Sequence, residues 1–480
     1  MTNPPFGFGA GAGGGQPPGG DPFGGLFGGG DHGDLSAALH RFADLMSWQG
    51  GPVNWDLARQ TAQTAVGEDQ GVTAADVDSV AAAIRLADLW LDGVTALPSG
   101  VAGTEAWSRR RWVEVTVEVW RELVDPIAGR VVDAMGSVLG SSLGGALGGA
   151  LGAAGGGLPP EIARALPAGT NSGELPDFSQ LTGPLLGMLR QMGGAMFGAQ
   201  VGTALGSLAQ EVVSATDVGL PLGPPGRAAL LPANVAVFGA GLELPAEEVR
   251  IFLALREAAY HRLFGHVSWL RSRLLAAVDG YARGITVDTA ALQVAVSELD
   301  PTNPEALAEA LAGGLFGPQT SPEQQAALSR LETLLALIEG WVDEVVAAAA
   351  EGHLPATAAL RETVRRRRAT GGPADQTFAT LVGLELRPRR LRDAAALWQA
   401  VGQIRGTDAR DAVWAHPDLL PSAADLDDPQ RYAAGTDHLD LSTLRDTPAP
   451  AGGQETPPAA GAPKAEPDRP TDSGEPDSTP

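Results

Sequence analysis

Residues 244–275 read LPAEEVRIFLALREAAYHRLFGHVSWLRSRLL, and their periodicity decides the fold class. Pro245 with Glu247 and Glu248 makes a good helix start, because proline suits the first turn and acids face the positive end of the dipole. Apolar residues recur at 252, 255, 259, 263, 267, 270 and 274, the spacing of a core-facing stripe. Val249, Leu253, Tyr260 and Phe264 cover much of another face, and a helix apolar on most sides is surrounded by other helices. The pattern predicts one long buried helix from Leu244 to Leu275 in a mainly α-helical protein.

Ionisable residues inside such a helix need partners. Glu257 and His261 are four apart, rotated by roughly 40° on one face, and could hold one ion together. His266 lies roughly 140° further round, on the apolar stripe. The plain alternative is that Glu257 pairs with Arg256, Arg262 or a distant arginine while both histidines are hydrogen-bonded core residues. Spacing alone favours that alternative.

The chain has 480 residues, 44% of them hydrophobic, enough for one large or two ordinary domains with a real core. A formal charge of -24 argues against nucleic acid or an anionic membrane as the main partner. Lys464 is the only lysine, so arginine carries the basic chemistry. With no cysteine there is no disulfide frame, thiol nucleophile or thiolate metal site, which fits a cytoplasmic protein. The start lacks the charged and apolar regions of a signal peptide. Residues 1–34 form a glycine and proline tract expected to be disordered, and residues 446–480, acidic and proline-rich, are expected to match it. Residues 35–445 form the globular part, with a possible internal boundary near 218–244.

Within that part, Asn54 can cap a helix from Trp55, and Thr73 with Asp76 resembles a capping box ahead of Val77 to Leu91. A helix is expected over Thr104 to Leu123, anchored by Trp107, Trp112 and Trp120. Glycines recur at 136, 140, 144, 148, 152 and 156, and again at 194, 198, 202 and 206. Such ridges let backbones approach, so the two segments are expected to pack as a close helical pair. Membrane spans are the weaker reading, because glycine and alanine dominate and Gln200, Gln210 and Glu211 interrupt. A short strand is expected at Val235 to Phe238. Asp288 and Asn303 look like caps of two further helices. Ser321, Pro322 and Gln324 form a capping box opening a helix to about Ala350.

This last helix is the second place for chemistry. Leu328, Leu331, Leu335, Ile338, Val342 and Val345 form its core stripe, with Glu339 and Asp343 four apart at the edge. Two inward-facing helices bringing Glu257 and His261 together with Glu339 and Asp343 would give an oxygen-rich metal site. An exposed acidic edge is the simpler reading. Arg365 to Arg368 suit a helix C-terminus and intramolecular pairing, although four arginines can also grip a phosphate. No Walker loop, dinucleotide fingerprint, GxSxG elbow or HExxH sequence occurs.

Together, GGPVNWDLARQ, the 245–271 stretch, LIEGWVDEVV and LRETVRRRRATGGPADQTFATLVGLELRPRRLRDAAALW resemble an actinobacterial family described as zincin-like metallopeptidases or hydrolases. A sister group is associated with biosynthesis of a deazaflavin cofactor. The resemblance, covering roughly residues 35 to 432, implies a helical zincin-like domain, zinc and peptide-bond hydrolysis. The site hypothesis that follows is zinc held by Glu257, His261 and Glu339, with Asp343 or His266 as a further ligand, and a water activated by whichever of Glu257 and Glu339 does not ligate, as the general base. The sister group's pattern has a histidine after its REAA-like residues and an EGH segment with another nearby histidine. Tyr260, Trp341 and Glu344 stand at the matching positions, while Glu339 and Gly340 remain. Tryptophan supplies no zinc ligand. The alternative to a peptidase acting on a peptide or protein substrate is a non-catalytic scaffold that keeps the family fold. A third reading is a peripheral membrane protein.

Overall fold

The computed structural model describes residue 48 and residues 51–153, 179–286, 319–370 and 390–435. The predicted tails and the helices expected after Asp288 and Asn303 lie outside these residues. The described elements belong to one compact unit that ends at Ala434.

Local signals set the helix starts. Helix α1 (Trp55–Val66) opens on Asn54, whose side chain accepts from the Leu57 amide at 3.0 Å. Helix α2 (Ala74–Leu91) opens on a complete Thr73–Asp76 capping box. Between α2 and the next helix lies strand β1 (Gly103–Ala106), where the sequence suggested helix. Helix α3 (Arg109–Ala153) and helix α4 (Ser179–Glu211) carry the two glycine segments. Among the described residues no helix is long and apolar enough to cross a membrane.

Strand β2 (Arg227–Leu230) pairs parallel with β1, Gly103 opposite Arg227 and Ala106 opposite Leu230. The expected strand at Val235 to Phe238 is instead helix α5 (Pro232–Gly239), opened by proline at its first position. Four-residue strands are too short to display alternation, and each is specified by a partner more than a hundred residues away.

The decisive stretch forms helix α6 (Ala246–His266) followed by α7 (Leu270–Arg283), rather than one continuous helix. The break at Val267–Trp269 is tertiary in origin. The Trp269 indole donates to the Trp414 carbonyl at 3.1 Å and its ring stacks on Trp414, which turns the chain. Every residue from Ile251 through Leu263 is buried, so α6 is the central helix, packed by α2, by β2 and by helix α8 (Pro322–Ala350).

Strands β3 (Ile285–Thr286) and β4 (Gln319–Thr320) form a short antiparallel pair before α8. Ser321 caps α8 by accepting from the Gln324 amide at 3.0 Å, while the Gln324 side chain turns inward, buried, to Tyr281. Helix α9 (Thr357–Thr370) holds the arginine run, and α10 (Leu391–Arg405), α11 (Thr407–Ala412) and α12 (Pro429–Ala434) complete the unit. Gly340 is where α8 meets α10, and a Cβ there would lie 2.6 Å from the Ala394 Cβ.

The second glycine ridge packs closely, though its tightest partner differs from the expected one. Helix α4 lies against both α1 and α3. Gly198, Gly202 and Gly206 meet Asn54, Ala58 and Ala62 of the α1 region, where added Cβ atoms would sit within 2.4–2.9 Å of main-chain oxygens.

Candidate functional site

Two buried carboxylates lie in the interior around α6, one carried by α6 itself and one by α8. Glu257 is fully buried on α6. One oxygen accepts from the Thr216 amide at 3.1 Å and the Thr216 hydroxyl at 2.6 Å. The other accepts from the Ala229 amide of β2 at 3.1 Å and lies 3.1 Å from His261 Nε2. An ionised carboxylate selects the tautomer that carries its proton on that nitrogen. The side chain of Glu257 thus ties the chain between α4 and α5 onto α6. The predicted pairing of Glu257 with arginine does not form: Arg256 goes to Glu339, and Arg262 to Asp88, Asp92 and the Leu97 carbonyl.

Glu339 on α8 is the centre of a denser cluster. Its Oε2 accepts from Arg256 at 2.8 Å. Its Oε1 accepts from Arg368 of α9 at 2.6 Å and from the Tyr260 hydroxyl. Burial, reinforced by the Glu339 charge, raises the Tyr260 phenol well above its usual range, so it stays protonated and donates. Burial pulls the Arg256 guanidinium down, but Glu339 and Tyr260 outweigh it and its affinity for the proton is raised. Two guanidiniums and a phenol therefore take up both oxygens of Glu339.

The turn at Thr216–Gly219 joins the two carboxylate sites. Thr216 serves Glu257, and the next residue, Asp217, pairs with Arg367 at 3.1 Å while its carbonyl accepts from Arg368. Gly219 closes the turn with a φ of 81°, and a Cβ there would lie 3.1 Å from Glu339 Oε1. Burial alone would raise the Asp217 carboxyl, yet Arg367, Arg368, the Val213 amide and Arg256 together lower it. A lowered native value contributes stability that is complete above the ordinary value of 3.8 and is lost as pH falls through the native one. Asp217→Asn is therefore expected to lower the urea midpoint at neutral pH and to shrink the drop between about pH 5 and about pH 3. An acid limb as steep as the parent's would remove Asp217 from that role.

The other candidates sit apart. Asp343, one helical turn beyond Glu339, is buried against α9, accepting from Arg361 at 2.8 Å and Arg365 at 2.6 Å. Each arginine of the 365–368 run meets an acid, Arg366 through Glu362 at 2.9 Å, which is the intramolecular pairing expected from the sequence. His266 is exposed at the end of α6, its Nδ1 3.0 Å from the Arg262 carbonyl. The structure thus brings Glu257 to His261 and leaves Asp343 and His266 in separate surroundings.

One buried acid escaped the sequence reading. Asp411 of α11 accepts from the Trp341 indole at 2.9 Å, the Thr95 hydroxyl at 2.5 Å, the Ala96 amide at 2.7 Å and Arg410 at 2.8 Å. Only the adjacent Arg410 is local, so no spacing signal could have found it.

Zinc in a protein site needs about three nitrogen, oxygen or sulfur donors with free lone pairs and, for catalysis, an open position. Among the described residues no group of three or more histidine, aspartate or glutamate side chains is placed to hold a metal ion. The donor set around Glu339 is cationic, and the residues present there do not fit zinc.

Residues 53–433 match the zincin-like metallopeptidase family, and the chain belongs to that family. In fold it is similar to a solved protein from Chloroflexus aurantiacus described as "a putative hydrolase with a novel fold", with a TM-score of 0.52 and 20% identity, covering 80% of this chain and 99% of that one. No curated protein matches the chain.

Proposed function

We propose that this protein is a zincin-like family member in which a guanidinium and phenol cluster occupies the buried carboxylate Glu339, so that it works as a binding scaffold rather than as a zinc peptidase. The observation that carries this reading is the saturation of Glu339 by Arg256, Arg368 and Tyr260. Two of the positions that match the sister group's histidines hold hydrogen-bond donors aimed at acids: Tyr260 at Glu339 and Trp341 at Asp411. The Trp341 N–H offers a metal no lone pair, and the Tyr260 phenol, held protonated and donating to Glu339, is a poor ligand, whereas two guanidiniums supply the charge that a buried carboxylate requires. The scaffold reading takes a protein or peptide as the partner in the cytoplasm, with neither nucleic acid nor a membrane surface as the main one.

A second reading, zinc-dependent hydrolysis, is favoured by family membership and by the Glu257–His261 contact. Elemental analysis of protein purified without chelator or affinity-tag metal separates the two. The scaffold reading expects well under one zinc per chain, unchanged in His261→Ala. About one zinc per chain, lost in that variant, would overturn it and restore the hydrolase.

A further inference from the structure

Away from the buried carboxylates, α7, the first half of α8 and the segment 417–423 enclose a cleft of about 530 Å³. That volume lies in the range of small-molecule sites. Its walls combine two kinds of chemistry. Arg273, Arg283 and Arg330 bring guanidiniums, and Leu334, Leu337 and Leu420 bring apolar surface. In a chain with 57 acids against 33 bases, three arginines on one cleft reverse the prevailing charge.

The state of those arginines is more telling than their number. Helical arginines elsewhere meet an acid either on another element, as Arg262 does with Asp88, or three or four residues away, as Arg121 does with Glu118 and Arg366 with Glu362. Arg283 follows that habit with Asp279 at 2.9 Å. Arg273 has leucine, alanine and tryptophan at those spacings, and Arg330 has alanine, threonine and leucine. Among the described residues neither guanidinium has a carboxylate partner, yet both face the same cleft.

We propose that this cleft binds a small amphiphilic oxyanion, a carboxylate or phosphate group carried on an apolar body. The planar guanidiniums of Arg273 and Arg330 match the paired oxygens of either group, and the leucines take the apolar part. The net charge of the protein repels anions in general, so the local pair confines binding to this site and makes it weaken with salt.

The test is calorimetric titration of the full chain with hexyl phosphate and with hexanoate, alongside inorganic phosphate and hexanol as the separated halves. Saturable binding of at least one amphiphile, tighter than either half, is expected. The Arg273→Gln/Arg330→Gln variant is expected to bind about tenfold or more weakly. Both side chains are exposed, so its thermal midpoint should stay at the parent value. Arg271→Gln, whose parent guanidinium meets Glu122 outside the cleft, should bind as the parent does. No saturation by either amphiphile up to about 10 mM, equal affinity in the double variant, or inorganic phosphate binding as tightly as hexyl phosphate would each overturn the proposal.

Discussion

Glu339→Ala is expected to destabilise the protein by about 3–5 kcal/mol, because it removes one partner of a buried ion cluster. Arg256 and Arg368, 6% and 9% exposed, would be left facing each other with only Asp217, already paired with Arg367, as a counter-charge nearby, and the Tyr260 hydroxyl without its acceptor. Glu339→Gln keeps the volume and one acceptor oxygen, so it should fall between the parent and the alanine variant. Replacing all three charges with neutral groups, as in Arg256→Met/Arg368→Met/Glu339→Leu, should recover part of the loss, since a concerted apolar exchange leaves neither guanidinium orphaned. Urea denaturation at neutral pH reads all three. A Glu339→Ala midpoint equal to the parent's would mean that this carboxylate is not structural, and a catalytic role would regain its standing.

Gly202→Ala sets two opposing effects against each other. Alanine gains about 1 kcal/mol over glycine in a helix interior. At this position, however, the new methyl would lie 2.4 Å from the Ala58 carbonyl oxygen and 2.6 Å from the Thr61 Cβ. A main-chain oxygen cannot swing aside as a long side chain can, so α1 and α4 must separate along their contact. Overpacking of this kind costs about 1–3 kcal/mol, and more when backbone has to move. The net expectation is a loss of roughly 2 kcal/mol, deepened by adding Gly198→Ala, whose methyl meets the Asn54 carbonyl at 2.5 Å. Gly187→Ala on the same helix has nothing within 4 Å and should stabilise instead. Thermal midpoints of these variants would decide the matter, and a stabilising Gly202→Ala would mean that the two helices are not in backbone contact.

These two sites also mark how far the sequence could be read. Helix starts were legible because a cap is chemistry within three residues: Asn54, Thr73 and Ser321 accept where their positions require. The inward direction of Glu257 was legible from the apolar stripes around it, whereas Glu339 and Asp343, at the edge of their stripe, favoured an exposed acidic edge and are instead buried against arginines of other helices. Their partners were not, because Thr216, Ala229 and Arg256 come from elements whose meeting is a tertiary fact. The same reason hid the strand pair β1–β2 and the break after α6, where a tryptophan contact 145 residues distant overrides a stripe that continues through Leu274. The glycine ridge announced close packing but carried no address, and its tightest neighbour turned out to be α1.

Asp411 bears on how the protein comes to be made. Its carboxylate fastens Thr95 and Trp341, and the first of these precedes it by 316 residues. At about 5–20 residues per second, synthesis of that interval takes roughly 15–60 s. Throughout it the indole of Trp341 or the loop at Thr95–Ala96 waits without its acceptor, beside apolar helix faces already out of the ribosome. Helix α11 is thus a clasp that can close only after α2 and α8 have long been made, and a nascent chain stalled before residue 411 would expose both of its uncapped partners.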